Sequence, residues 1–198
     1  MNLKFLHLHL HGLIRSNNLE LGKDSDTGGQ TQYVLELVKS LANTSEVAQV
    51  DLVTRLINDS KVDKSYSKER EFIAPGAQIL RFQFGPSKYL RKELLWPYLD
   101  ELTQNLIQYY QKYEKPNFIH AHYADAGYVG LRLSHFLKVP FIFTGHSLGR
   151  EKKRKLLEAG LKINQIEKLY CITKRINAEE EVLKHADIVV TSTKQESI

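Results

Sequence analysis

The sequence has a single cysteine, Cys171, among 198 residues. One cysteine cannot form an intramolecular disulfide, and it excludes a metal site built from several thiolates. A shortage of cysteine is typical of proteins from a reducing compartment, which favours a cytoplasmic protein. We expect Cys171 itself to be a small buried hydrophobic residue.

Long apolar runs are also missing from the sequence. No run approaches the ~18 residues needed to cross a bilayer, so we expect no membrane partner. The start of the chain contains Lys4, His7 and His9 and is not followed by a small-residue cleavage site. A secretory signal is therefore not indicated.

The charge balance is only moderately basic, with 28 Lys and Arg against 23 Asp and Glu and a net charge of +5. The basic residues do not form one tract, and no basic arm is interleaved with aromatic residues, which argues against a nucleic-acid partner. A positive balance favours anionic ligands. Hydrophobic residues make up 42% of the chain, enough to build a core at this length without disulfides.

Apolar strand-like segments alternate with amphipathic helical segments along the chain. The pattern predicts strands at 3–10, 50–54, 78–82, 118–122, 139–144 and 188–191, and helices at 28–42, 94–113, 126–137, 152–159 and 164–184. Residues 58–71 are polar and charged and are predicted to form an exposed loop. The alternation is typical of an α/β fold with a Rossmann-like, mainly parallel β-sheet flanked by helices. In such folds ligands bind at the carboxyl ends of the strands.

The polar loop at 24–30 joins the first strand to the first helix and contains Gly28 and Gly29. Two glycines remove the Cβ atoms that would keep a ligand away from backbone N–H groups. A helix N-terminus adds unpaired donors and a partial positive charge, which suit a sugar hydroxyl or an anion. The alternative is an ordinary surface helix capped by Asp26 or Thr27. The loop matches neither the GxGxxG dinucleotide motif nor a P-loop.

His146 follows the strand predicted at 139–144 and lies next to Gly145. A histidine at the carboxyl end of a strand can bind sugar hydroxyls or exchange a proton near neutral pH. The alternative is a structural histidine that caps the next helix. Ser147 is not a convincing nucleophile, because Gly-His-Ser-Leu-Gly lacks the G-x-S-x-G spacing.

A second polar group lies around the end of the strand predicted at 118–122. His122, Tyr123 and Asp125 are expected to contact a ligand at the strand tip. His120 and His122 form an H-x-H pair on one face of a strand, a pattern that can bind metal. The sequence offers no convincing third ligand and no HExxH motif, so we predict no metal.

A basic cluster at 150–155 follows His146. Such residues usually form a solvated helix face. Arginine nevertheless suits phosphate, because its planar guanidinium donates two parallel hydrogen bonds. Candidates for cleft or phosphate contacts are Arg150, Lys152 and, further along the chain, Arg175.

Six stretches together resemble the N-terminal half of sucrose-phosphate synthase. They are residues 11–15, 18–30, 92–98, 118–127, 144–150 and 175–179, in the order of that family. They span nearly the whole chain, which makes the resemblance far more specific than any single motif. Sucrose synthase shares the Asp-x-Gly-Gly-Gln theme, but Gly-Leu-Ile-Arg and Gly-His-Ser-Leu-Gly-Arg are closer to the phosphate synthase.

The resemblance implies a two-domain retaining glycosyltransferase of the B fold. Such enzymes transfer glucose from UDP-glucose to fructose 6-phosphate and release UDP and sucrose 6-phosphate. Residues 1–198 would be the acceptor-binding Rossmann-like domain, and the C-terminal nucleotide-sugar-binding domain would be absent from this chain, which ends within a loop-like stretch at 191–198. The resemblance therefore implies fructose 6-phosphate, UDP-glucose and that C-terminal domain as partners. We expect no tightly bound cofactor, and no site visible in the sequence requires a divalent metal.

The resemblance also implies roles for individual residues. Gly28, Gly29 and Gln30 would contact the acceptor or donor sugar in the cleft. Lys92 would help to hold the fructose unit, and His146 would bind near the reacting glucose and serve as the catalytic residue.

Lys152 and Arg175 would clamp the phosphate of the acceptor. Two positions depart from many members of the family: Ser16 replaces a glycine and Lys23 replaces an arginine. Neither departure removes an implied contact. We expect this fragment alone to be inactive, and two alternatives stay open: a non-catalytic phosphosugar-binding module, or another retaining glycosyltransferase such as sucrose synthase.

Overall fold

The computed structural model describes residues 2–191, which form one seven-stranded sheet with helices on both faces. The strands are β1 (Leu3–Leu8), β2 (Val47–Arg55), β3 (Arg70–Ala74), β4 (Ala77–Phe82), β5 (Phe118–His122), β6 (Phe141–Thr144) and β7 (Ile188–Val190). The helices are α1 (Gly29–Ala42), α2 (Leu99–Lys112), α3 (Ala124–Leu137), α4 (Gly149–Glu158), α5 (Ile163–Tyr170) and α6 (Ile172–His185).

The strand order is β3-β4-β2-β1-β5-β6-β7. Every neighbouring pair is parallel except β3 and β4, which are antiparallel. β1 lies in the middle, and the chain runs outward from it in both directions. The predicted Rossmann-like, mainly parallel sheet is confirmed, and the loops that follow β1 and β5 border the crevice where such folds bind ligands.

Each face of the sheet has its own apolar core. On one face Val34, Leu35 and Val38 of α1 pack against β2 and β4, because their spacing places them on one side of a helix. On the other face α2, α3 and α6 cover β1, β5 and β6. α3 approaches the sheet closely: a Cβ at Gly130 would lie 2.7 Å from the Phe141 ring. This contact explains why a helix interior tolerates glycine, at a cost of about 1 kcal/mol relative to alanine.

Several predicted boundaries differ from the structure. The first strand ends at Leu8 rather than residue 10, and the strand predicted at 139–144 begins at Phe141, after Pro140, which has no N–H to give to a sheet. The segment 58–71 is not simply a loop, because it contains a 3-10 helix (Lys64–Ser67) and the start of β3. β3 was missed because an edge strand can carry polar residues such as Arg70 and Glu71.

The predicted helices also need correction. The segment 94–113 begins as two 3-10 turns, Lys92–Leu94 and Trp96–Tyr98, before α2 starts. The helix predicted at 164–184 is two helices, α5 and α6, separated by Cys171 in the left-handed conformation (φ 46°).

Cys171 is half-buried rather than buried, and its Sγ lies 3.6 Å from the carbonyl of Glu93. The last predicted strand ends at Val190. Most of the loop-like stretch predicted at 191–198 lies outside the described residues.

Candidate functional site

Six of the eight histidines gather near the carboxyl ends of the central strands. His7 belongs to β1, and His9 and His11 follow it. His120 and His122 belong to β5, and His146 follows β6. The parallel register pairs His7 with His120 across β1 and β5, so alternate positions on two strands meet on one face.

Three of these histidines form a hydrogen-bonded series. His7 Nδ1 lies 3.0 Å from His122 Nε2, and His122 Nδ1 lies 3.1 Å from His146 Nε2. Burial lowers the pKa of both His7 and His122 well below the ordinary value, with further lowering from nearby histidines. Both rings are therefore neutral at pH 7. We refer to His7, His122 and His146 as the histidine series.

Two backbone conformations mark the strand tips. Tyr123 after β5 has φ 79° and ψ 170°, and His146 after β6 has φ 59°. Residues other than glycine rarely adopt such backbone angles, and the conformation costs about 1–3 kcal/mol for each residue. Tyr123 is held in place because its N–H donates to the Thr144 carbonyl at 2.9 Å. Sequence reasoning found both residues but could not detect this strain, which is typical of ligand-binding loops.

The loop before α1 leaves the two glycines open. Gly28 is the N-cap of α1, and no side chain caps the helix. The alternative prediction of a cap from Asp26 or Thr27 is wrong: Asp26 accepts from Lys92, and Thr27 Oγ1 accepts from the backbone of Leu13. A Cβ at Gly28 or Gly29 would meet no atom within 4 Å, so packing within the protein does not require glycine at either position.

Gln30 is positioned by the same group of histidines. Its Nε2 lies 3.2 Å from His9 Nδ1, and His9 Nε2 lies 3.4 Å from Thr31 Oγ1. His9 is fully buried. The first turn of α1 is thereby attached to the end of β1, and Gln30 lies between the glycines and the histidines.

Three predicted cationic residues converge at a small pocket between α4, α6 and the 3-10 turns. Its lining comprises Lys92, Glu93, Trp96, Tyr123, Asp125, Lys152, Tyr170 and Arg175. The pocket encloses about 10 Å³, room for about one water molecule. The pocket is therefore too small for a phosphate unless the side chains that line it move.

Lys152 is the most perturbed cation of this pocket. Its Nζ lies 3.9 Å over the Tyr170 ring and 4.0 Å from a Glu93 carboxylate oxygen. Burial, followed by repulsion from Arg175 and Lys92, lowers the pKa of Lys152 to about 8. An anion placed beside Lys152 would relieve that repulsion.

Arg175 is buried and firmly held. Its Nε donates to Glu179 at 2.8 Å, one terminal nitrogen donates to the Ser147 carbonyl at 2.7 Å, and its guanidinium carbon lies 4.4 Å from the centre of the Tyr123 ring. Glu179 also accepts from Gly149 N at 2.6 Å. Arg175 thus links α6 to the loop that carries His146.

Arg150 does not lie with Lys152 and Arg175. Its side chain is 78% exposed and pairs with Glu180 at 2.6 Å. It lines a separate surface groove of about 420 Å³ between α4 and α6, together with Lys153 and Arg154. The prediction that Arg150 contacts a ligand in the cleft is therefore not supported by its position.

The tip of β5 adds two buried polar contacts. Asp125 Oδ2 accepts from His11 Nδ1 at 2.8 Å, and both side chains are almost fully buried.

Glu93, which is 8% exposed and lies 3.7 Å from Lys92 Nζ, was missed by sequence reasoning. Its only signal was a run of three charged residues, 91–93, between apolar residues.

The structure supplies the third metal-ligand candidate that the sequence lacked. His7, His120 and His122 offer ligand atoms within 4.8 Å of one another. Two of these rings are already hydrogen-bonded to each other, and His120 Nε2 lies 2.7 Å from Thr144 Oγ1. The prediction of no metal stays a prediction. Among residues 2–191 no helix is both long and apolar enough to span a membrane.

Comparisons with known proteins agree on one family. The sequence profile described as "Sucrose synthase first GT-B domain" matches residues 2–198. The probable sucrose-phosphate synthase 2 of Arabidopsis thaliana is 44% identical over 216 residues, and the sucrose-phosphate synthase of Spinacia oleracea is 42% identical over 218 residues. Each alignment covers 96% of this chain and 21% of the relative, so the chain spans about a fifth of the length of the curated relatives it matches.

A solved structure gives the same result. The sucrose-phosphate synthase from Thermosynechococcus elongatus matches with a TM-score of 0.78 and 26% sequence identity. The match covers 99% of this chain and 44% of that protein. The fold is therefore that of the N-terminal half of a B-fold glycosyltransferase.

Proposed function

The chain belongs to the family of sucrose synthase first GT-B domains, and we propose that it is the acceptor-binding domain of a retaining, sucrose-phosphate-synthase-like glycosyltransferase. The proposed reaction transfers glucose from UDP-glucose to fructose 6-phosphate. A C-terminal domain would bind most of the nucleotide sugar. We propose no tightly bound cofactor and no divalent metal for this reaction.

The observation that carries the proposal is the convergence of Lys92, Lys152 and Arg175 at one pocket. They come from a 3-10 turn, α4 and α6, which are distant in sequence. Burial, followed by repulsion from Arg175 and Lys92, lowers the pKa of Lys152, so an anionic group placed beside it would be favoured. A sugar phosphate carries such a group. The planar guanidinium of an arginine can donate two parallel hydrogen bonds to the phosphate oxygens.

The sugar part of the ligand would lie between this pocket and the start of α1. The open faces of Gly28 and Gly29 allow a ligand to reach backbone N–H groups. Gln30 and His146 flank that space, and both are attached to buried histidines. In this arrangement Lys92 would hold the fructose unit while Lys152 and Arg175 hold its phosphate.

In the proposed reaction the bond between the anomeric carbon of glucose and the UDP oxygen breaks. A bond to a hydroxyl oxygen of fructose 6-phosphate forms on the same face of the sugar, and the hydroxyl proton leaves with UDP. This domain would contribute mainly by holding the acceptor and by placing His146 near the glucose. The charge that develops on UDP would be balanced mainly by the second domain.

The phosphate clamp can be tested by calorimetry on the two-domain protein. A charge-assisted hydrogen bond contributes about 1.5–3 kcal/mol, so fructose should bind at least ~10-fold more weakly than fructose 6-phosphate. Lys152→Met should remove most of this difference. Lys155→Met is the matched control, because Lys155 lies on the same helix with its side chain 68% exposed. Equal affinities for the two sugars in the unchanged protein would contradict the clamp.

Activity gives an independent test. The 198-residue chain alone, with UDP-glucose and fructose 6-phosphate, should release no UDP above background. The two-domain protein should release UDP and form sucrose 6-phosphate. Binding of fructose 6-phosphate without any transfer in the two-domain protein would instead favour a non-catalytic phosphosugar-binding module.

A further inference from the structure

The histidine series leads from the interior of the sheet to the loop that carries His146. Its two hydrogen bonds join His7 to His122 at 3.0 Å and His122 to His146 at 3.1 Å. His7 and His122 are fully buried. Each neutral imidazole carries one proton, on one of its two nitrogens.

Only two proton arrangements satisfy both hydrogen bonds when all three rings are neutral. In the first, His7 Nδ1–H donates to His122 Nε2, and His122 Nδ1–H donates to His146 Nε2. His146 then carries its proton on Nδ1. In the second, both bonds run the other way, and His146 carries its proton on Nε2.

The inner end of the series distinguishes the two arrangements. His7 Nε2 is buried and has no hydrogen-bond partner among residues 2–191. The second arrangement would place a proton on this nitrogen and leave a buried N–H without an acceptor, which is rare in proteins. The first arrangement leaves only a buried lone pair there.

From this geometry we infer that His122, supported by His7, is a positioning residue that fixes His146 as its Nδ1–H tautomer. His146 Nδ1 then acts as a hydrogen-bond donor. The consequence for a ligand rests on the proposed function: a sugar oxygen near Nδ1 would accept a hydrogen bond from His146, and Nδ1 would not serve as a base. Burial lowers the pKa of His7 and His122, which supports the neutral state of these two rings in this arrangement.

The alternative use of these side chains as metal ligands is less well supported. A metal at His7, His120 and His122 needs three lone pairs that point to one place. His7 Nδ1 and His122 Nε2 are instead directed at each other, and His120 Nε2 is 2.7 Å from Thr144 Oγ1. A metal would have to break at least one of these contacts.

The test is a measurement of tautomers by NMR on the 15N-histidine-labelled 198-residue chain. Ring nitrogens with and without a proton differ strongly in chemical shift, and single substitutions assign each histidine. We expect His122 and His146 both to carry the proton on Nδ1. A proton on Nε2 of either ring overturns the inference. The measurement needs no substrate, so its result is independent of the proposed function.

Two variants of His122 extend the test. His122→Asn retains an amide that can donate to His146 Nε2, whereas His122→Leu retains no donor. We expect His146 to stay Nδ1–H in the asparagine variant and to lose its single tautomer in the leucine variant. An unchanged His146 tautomer in a folded His122→Leu protein overturns the role of His122. His135→Asn, an exposed histidine on α3, is the control and should leave His146 unchanged.

A purely structural role for His122 makes a different prediction for kinetics. In the two-domain protein, His122→Leu should lower kcat at least ~10-fold, and His122→Asn should restore most of it. A structural role would lower stability in both variants without this difference in turnover. Equal kcat in the two folded variants counts against the positioning role.

Discussion

The carboxylate of Asp26 accepts hydrogen bonds from both the backbone N–H and the ammonium group of Lys92. The two residues are 66 positions apart, and the Asp26 side chain is fully buried. The contact fastens the loop before α1 to the 3-10 turn at Lys92–Leu94. It therefore holds the open glycines and the cationic pocket in one site.

Asp26→Asn should lower the free energy of unfolding by about 1.5–3 kcal/mol at pH 7, because hydrogen bonds to a charged group are lost. Burial alone would raise the pKa of Asp26, but hydrogen bonds from Lys92 bring it below the ordinary value. Such a depressed pKa stabilises the fold above the unfolded-state pKa of about 3.9 and loses that effect as the pH falls through the folded-state pKa. Urea unfolding should therefore show the two proteins converging below about pH 4.

A double-mutant cycle with Lys92→Met isolates the pair. Removing Lys92 leaves a buried carboxylate without its cation, which is costly. We expect a coupling between Asp26 and Lys92 at pH 7 that shrinks on acidification. A coupling near zero at pH 7 would show that the contact does not hold the site together.

Gly28→Ala should fold normally and bind ligand poorly. The added methyl would meet no protein atom within 4 Å, but it would occupy the space through which a ligand reaches the helix N-terminus. Gly12→Ala is the opposite control: Gly12 has φ +76°, and a Cβ there would lie 2.5 Å from the Asp26 carbonyl. We expect a normal melting temperature and weaker fructose 6-phosphate binding for Gly28→Ala, and a lower melting temperature for Gly12→Ala. Normal binding by Gly28→Ala would remove the glycine loop from the site.

The fold could be predicted well because buried parallel strands carry apolar runs that the sequence displays. The exceptions are physical rather than accidental. β3 is an edge strand whose Glu71 pairs with the buried Arg81. Its polar residues do not give the apolar pattern by which strands are predicted. The break between α5 and α6 depends on Cys171 adopting positive φ, which no pattern of apolar residues reveals.

Several residues of the candidate site could be named from the sequence, but Glu93 was missed, Arg150 lies elsewhere, and the arrangement could not be predicted. Lys152 and Arg175 were named as basic candidates and Lys92 from resemblance, and their convergence depends on how α4, α6 and the 3-10 turn at Lys92–Leu94 pack together. The histidine series depends on strand register, since His7 must lie beside β5 to reach His122. A sequence shows alternating histidines on each strand but not which rings will meet.

Binding of fructose 6-phosphate should weaken as the pH rises through about 8. Burial and neighbouring cations lower the pKa of Lys152 to about 8, so its attraction for phosphate is lost above that pH. Lys152→Arg should keep its charge and show little change between about pH 7 and pH 9.5. Calorimetry of both proteins over this range tests the prediction, and an unchanged affinity in the unsubstituted protein would contradict it.

The same group affects stability with a definite sign. The folded-state pKa of Lys152 lies below the unfolded-state value of about 10.4. Between these two values the unfolded chain binds more protons, so stability rises with pH relative to a Lys152→Met variant. The unfolding free energy of the unsubstituted protein, relative to that of the variant, should therefore be larger at about pH 10 than at about pH 8.

Lys138→Gly should stabilise the fold. Lys138 is exposed and ends α3 with φ 54° and ψ 54°. The left-handed conformation costs a residue other than glycine about 1–2 kcal/mol, and glycine removes this cost from the folded state. The greater flexibility of glycine in the unfolded chain offsets about 0.5–1 kcal/mol of that stabilisation. Gln104→Gly, an exposed position inside α2, should instead destabilise by about 1 kcal/mol. Urea unfolding of both variants measures these opposite signs, and a destabilised Lys138→Gly protein would contradict the conformation at the end of α3.

His146→Gly and His146→Ala should separate the role of the ring from the role of the backbone. His146 has φ 59°, a conformation that glycine adopts freely and alanine adopts at a cost of about 1–2 kcal/mol. Both variants lose the imidazole that His122 contacts at 3.1 Å. We therefore expect both to lose turnover in the two-domain protein, with little change in fructose 6-phosphate affinity, while the glycine variant, which is relieved of the strain that histidine and alanine share, melts at a higher temperature than the alanine variant.

The comparison works because a residue used mainly in the transition state affects kcat, whereas uniform ground-state binding affects KM. A histidine that only caps the next helix would lower stability in both variants and leave the kinetics of the folded fraction unchanged. Steady-state kinetics and thermal unfolding on the same preparations distinguish these outcomes. Normal turnover in a folded His146→Gly enzyme would remove His146 from the reacting centre.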